Sequence, residues 1–65
     1  MKLHNLVLTE GGNAFGQPCV FPFLYNNQLY YTCINSEQPE YWCATTSNYD
    51  VDKVRGNCKL GNNLF

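Results

Sequence analysis

Cys19-Val20-Phe21-Pro22-Phe23-Leu24-Tyr25-Asn26-Asn27-Gln28-Leu29-Tyr30-Tyr31-Thr32-Cys33 is the stretch that decides the fold. An aromatic run from Cys19 to Tyr25 and a second run of strand formers from Leu29 to Cys33 flank Asn26-Asn27-Gln28. Asparagine tolerates positive φ better than most residues, so the middle three residues suit a tight turn and the whole stretch predicts a β-hairpin. Pro22 has no N–H to give to a ladder and restricts the first run to an edge or a distorted position. The sequence leaves the isomer of the bond before it open.

On the C-terminal side, Ile34 to Glu40 is polar and contains Pro39, which reads as a loop, and Tyr41-Trp42-Cys43-Ala44-Thr45-Thr46 reads as a further short strand. Asn48-Tyr49-Asp50 and Asp52-Lys53 carry turn and loop chemistry before Arg55-Gly56-Asn57-Cys58 closes the cysteine set. No segment shows a helical period. Upstream, Met1 to Gly12 alternates apolar with polar residues and ends at Gly11-Gly12, the pattern of an edge strand followed by a joint. The expected organisation is a leading segment over residues 1–10, one module over 11–59 and a tail over 60–65 that frays.

At 65 residues the chain forms one domain, too small for its core alone to stabilise it comfortably. Its four cysteines are an even number, as in small secreted domains that replace missing core with disulfides, although four cysteines alone permit three connectivities. Residues are 45% hydrophobic and only 14% charged, which excludes the disordered class. A net charge of −1 with four cations excludes a phosphate-binding stripe, and nucleic acid is not an expected partner. No stretch reaches the roughly 20 apolar residues of a membrane span.

Reactive chemistry is equally hard to assemble. The cysteines lack the close pairs of a zinc site, and Asp50 and Asp52 are followed by Lys53, Val54 and Arg55 rather than by the carboxylate of a calcium loop, so no metal or other cofactor is expected. His4 is the one histidine and lies in the leading segment, away from any nucleophile it could activate. The expectation is a module without catalytic activity.

Cys19-Val-Phe-Pro-Phe23, Cys33, Trp42-Cys-Ala-Thr-Thr46, Asn48-Tyr-Asp50 and Gly56-Asn-Cys58 follow one another in the order of a fibronectin type II (kringle-like) module, and the resemblance covers Gly11 to Lys59. The approach Gly12-Asn-Ala-Phe-Gly-Gln-Pro18 is similar to the one preceding such modules in gelatinase-type matrix metalloproteinases and mannose-receptor-family proteins. The resemblance implies a small disulfide-rich β fold of two short, roughly perpendicular two-stranded antiparallel sheets, with Cys19 paired to Cys43 and Cys33 to Cys58. It also implies a secreted or extracellular setting, either as a monomer or inside a larger protein.

The family binds denatured collagen (gelatin) in some members and choline headgroups in others, through a shallow aromatic pocket. Both ligands suit ring faces: proline-rich extended segments are preordered, and a quaternary ammonium is drawn to the negative face of an aromatic ring. Carried over by motif, the pocket residues are Tyr25, Trp42 and Tyr49, with Phe21 and Phe23 in the same wall or the core beneath it. This chain departs at Arg55-Gly56-Asn57, where the family has aromatic, glycine, aromatic. The substitution thins the pocket and places a cation, Arg55, where it repels choline. The acidic loop Ile34 to Glu40 departs too, lacking the arginine of gelatin-binding members. The alternatives are a structural or protein–protein interaction module that binds neither ligand, and a small disulfide-rich inhibitor presenting Ile34 to Glu40.

Overall fold

A computed structural model describes residues 7–59. The expectations placed on Met1 to Leu6, including His4, and on Leu60 to Phe65 lie outside the described residues.

The predicted hairpin forms, with shorter arms. Strand β2 is Phe23–Tyr25 and β3 is Gln28–Tyr30, paired antiparallel with Phe23 opposite Tyr30, Leu24 opposite Leu29 and Tyr25 opposite Gln28. Asn26 (φ 54°) and Asn27 (φ 66°) take the positive φ that the turn requires. The bond between Phe21 and Pro22 is cis, and β2 begins only after it. Because facing residues share a side of the sheet, Phe23, Tyr25 and Tyr30 point together while Leu29 stays exposed on the other side.

The second sheet has three strands rather than two. Strand β1 (Thr9–Glu10) pairs with β5 (Arg55–Cys58), which pairs in turn with β4 (Trp42–Ala44), so β5 is central. Arg55 to Cys58, which the sequence marks only as the segment closing the cysteine set, is therefore a strand. Its hydrogen bonds come from β1 and β4, distant in sequence, which a local reading of Arg-Gly-Asn does not reveal. Gly56 explains how β1 comes so close: a Cβ there would stand 2.5 Å from the Thr9 Cβ. Thr9 is buried and satisfies its hydroxyl by donating to the Gln17 carbonyl at 2.7 Å.

In the chain between β4 and β5, the turn and loop expected at Asn48-Tyr49-Asp50 and Asp52-Lys53 close into one helical turn, α1, over Tyr49–Asp52. Asn48 caps it by accepting the Val51 N–H on its side chain, and Lys53 ends it in the left-handed region (φ 57°). A helix of four residues is too short to leave a period in sequence.

Both disulfides implied by the resemblance are present, Cys19–Cys43 and Cys33–Cys58, spanning 24 and 25 residues. In the chain-entropy model each such loop contributes roughly 3 to 3.5 kcal/mol by restricting the unfolded state. The bonds use all four sulfurs, which lie within 4.8 Å of one another. Around them the core gathers Val7, Phe23, Trp42 and Ala44.

Phe15 runs against its local conformation. The Gln17 N–H bonds the Ala14 carbonyl at 3.1 Å across a turn whose central residues, Phe15 (φ 57°) and Gly16 (φ 76°), both have positive φ. Glycine adopts this freely, but a bulky aromatic at φ > 0 costs about 1 kcal/mol, and a side chain 90% exposed recovers little of it by burial. Phe15→Asn is expected to stabilise the fold by about 1 kcal/mol, read as a higher urea midpoint with an unchanged slope; an equal or lower midpoint refutes the assignment of strain. Gly56→Ala is expected to cost about 2 kcal/mol from overpacking against Thr9, and a calorimetric midpoint equal to that of the parent chain would contradict the close approach of β1 to β5.

Candidate binding site

Three elements each deliver one ring to a shared cluster. Tyr25 comes from the end of β2, Trp42 opens β4, and Tyr49 starts α1. Their ring centroids are 5.1 Å apart for Tyr25–Trp42, 5.6 Å for Tyr25–Tyr49 and 5.1 Å for Trp42–Tyr49. The first two contacts are edge-on, at 83° and 69°, an arrangement favoured by the ring quadrupole.

The rings differ in depth. Trp42 is only 2% exposed, and its indole N–H donates to the Ser36 carbonyl at 3.2 Å, tying the acidic loop to β4. Tyr25 and Tyr49 are half-buried and keep part of their surface in solvent. Phe23 is fully buried beneath, with its centroid 5.8 Å from that of Trp42, and half-buried Phe21 packs on Phe23 at 6.1 Å.

Arg55 lies over this assembly, its guanidinium carbon 5.8 Å from the Trp42 ring centroid. The register that sets Ala44 opposite Arg55 and Trp42 opposite Asn57 puts β5 alongside the tryptophan. All six residues singled out from sequence therefore fall in one connected cluster.

Two contributors escaped the sequence reading. Tyr30 packs on Phe23 (5.8 Å) and Tyr25 (6.1 Å) and donates its hydroxyl to Gln28 Oε1 at 2.9 Å. Its cross-strand alternation with Phe23 and Tyr25 was the available signal. Lys53 places its ammonium 5.7 Å from the Tyr49 centroid and donates to the Asp50 carbonyl at 2.9 Å. Its i, i+4 relation to Tyr49 carries meaning only once α1 exists.

Asp50 fastens the hairpin turn to α1. Its carboxylate oxygens accept the N–H groups of Asn26 at 2.7 Å and Asn27 at 3.0 Å. The Asn27 N–H, then the Asn26 N–H, hold the carboxyl below its ordinary range, with a smaller contribution from the charge on Lys53.

A family model, Fibronectin type II domain, matches residues 19–58. The chain belongs to the fibronectin type II family. Matrix metalloproteinase-9 of Canis lupus familiaris is 50% identical over 58 residues, which cover 85% of this chain and 8% of that protein. Secretory phospholipase A2 receptor of Oryctolagus cuniculus is 43% identical, covering 86% and 4%. Coagulation factor XII of Sus scrofa is 44% identical over 71 residues, covering 91% and 11%. The chain thus corresponds to a small part of much larger proteins, some of them enzymes, while the fibronectin type II domain is itself a non-catalytic module.

Because the folded state depresses the Asp50 pKa, its contribution to stability is present above the unfolded value of about 3.9 and lost as pH falls through the lower folded value. Asp50→Asn is expected to reduce the loss of stability between about pH 4 and pH 2. Chemical denaturation of both proteins across that range checks it, and identical pH profiles would show that the two amide bonds are not coupled to folding.

Proposed function

We propose that this module works in an extracellular setting as a non-catalytic binder of extended, collagen-like polypeptide, using the ring surfaces that Tyr25 and Tyr49 leave open. One observation carries the reading: rings from three separate elements converge within 5.6 Å of one another around a Trp42 that is already locked in place. A rigid aromatic surface suits a proline-rich segment that is itself preordered, because neither partner loses much conformational freedom on contact. The two disulfides fit an oxidising compartment, and among the described residues no helix is long and apolar enough to cross a membrane.

Choline is the weaker of the two family ligands here. The face of Trp42 that a quaternary ammonium would use already carries the Arg55 guanidinium, and like charges at such range repel. That same covering, with a tryptophan only 2% exposed, favours a second reading: a protein–protein interaction or spacing module that has given up the pocket.

Trp42→Ala cannot decide between them, since removing a buried tryptophan costs about 3–5 kcal/mol and unfolds a domain of this size. Tyr49→Ala leaves the core rings in place. It is expected to weaken retention on a gelatin matrix about tenfold, while its amide NMR spectrum stays that of a folded chain. Unaltered retention of the folded variant refutes the site, and absence of retention for the parent chain favours the second reading.

A further inference from the structure

Both cations near the cluster come from one short segment. Arg55 stands over Trp42 and Lys53 over Tyr49, and those two rings are themselves 5.1 Å apart. Asn13 holds the backbone beneath both: its N–H donates to the Arg55 carbonyl (3.0 Å), its Oδ1 accepts the Arg55 N–H (2.9 Å), and its Nδ2 donates to the Lys53 carbonyl (3.0 Å). Neighbouring Gly12 lets this clamp close, since a Cβ there would run into the Arg55 carbonyl.

Among the described residues, no acidic group neutralises Arg55. The chain's five acidic side chains, Glu10, Glu37, Glu40, Asp50 and Asp52, all lie among the described residues, and none forms an ion pair with the guanidinium. The carboxylate of Asp50 is occupied by the amides of Asn26 and Asn27. A guanidinium resting on an aromatic face keeps its N–H donors in its own plane, where a carboxylate can accept two of them side by side.

Resting on the reading above, that the cluster binds extended polypeptide, we propose that Arg55 and Lys53 make it selective for a segment carrying an aspartate or glutamate next to proline or other apolar residues. The apolar neighbours meet Tyr25 and Tyr49 while the acid meets Arg55. A polyanionic sugar is a poorer fit: two cations offer few charges, and the chain as a whole carries −1 with Glu37 and Glu40 on the adjoining loop.

The test uses the whole chain and three proline-rich peptides of equal length, identical except for glutamate, glutamine or lysine at one position, titrated by calorimetry at low and moderate salt. The glutamate peptide is expected to bind about tenfold tighter than the glutamine peptide, the size of one charge-assisted contact, and the lysine peptide weakest. The preference shrinks as salt rises. In Arg55→Gln, with folding verified by amide NMR, it falls towards parity. Equal affinity of the parent chain for the glutamate and glutamine peptides overturns the proposal even if gelatin is retained, and leaves the wider reading standing. Binding of none of the peptides, together with no retention on gelatin, overturns both. Tighter Arg55-dependent binding of heparin than of the glutamate peptide would assign the cation to a sulfated sugar and overturn the proposal as well. The comparison of peptides on the parent chain needs no variant, so a misfolded substitution does not remove the test.

Discussion

The crossing of two disulfides is the constraint on which the rest depends. Cys19 Sγ lies 3.8 Å from Cys58 Sγ, so the two crosslinks lie in contact, one anchoring β4 at Cys43 and the other anchoring β5 at Cys58. Strands of two to four residues have no independent stability. Covalent ties to the segments around Cys19 and Cys33 hold the three-stranded sheet and the hairpin near enough for their aromatic side chains to pack. Three of the four cysteines are themselves buried and add to a core that is otherwise small.

That core and the candidate site are one continuous body of rings, graded in depth. Phe23 lies wholly inside, Trp42 almost so, and Tyr25 and Tyr49 at the boundary. A surface made from the upper layer of a core is held still by the layer below, so its shape is prepared before a partner arrives. The same arrangement constrains variation: a change at Trp42 disturbs folding and surface together, while positions on the rim, such as Arg55 and Asn57, can alter what the surface prefers without dismantling it.

Much of this was legible from residues alone, because the informative signals were local or carried by motif. The hairpin followed from two strand-forming runs around Asn26 and Asn27. The resemblance supplied the cysteine pairing and brought Tyr25, Trp42, Tyr49 and Arg55 together. What escaped depends on non-local pairing or short elements. Arg55 to Cys58 carried no strand signal of its own because the partners that make it a strand, Thr9–Glu10 and Trp42–Ala44, are distant in sequence. Lys53 gained its place over Tyr49 only through a single helical turn. The near-complete burial of Trp42 comes from packing, which neither propensity nor motif order specifies.

The pairing of Thr9 with Cys58, extended by the Lys59 N–H bonding the Leu8 carbonyl at 2.9 Å, brings the incoming and outgoing chain side by side. Tension applied through the two flanks would meet this ladder at its open end and part its bonds one after another, as a zip opens, rather than shearing them all at once. On the outgoing strand, opening would stop at Cys58, fastened to Cys33, and on the incoming strand at Cys19, fastened to Cys43. Set within a longer polypeptide under load, the module would lengthen at its doorway while its crosslinked rings stay together.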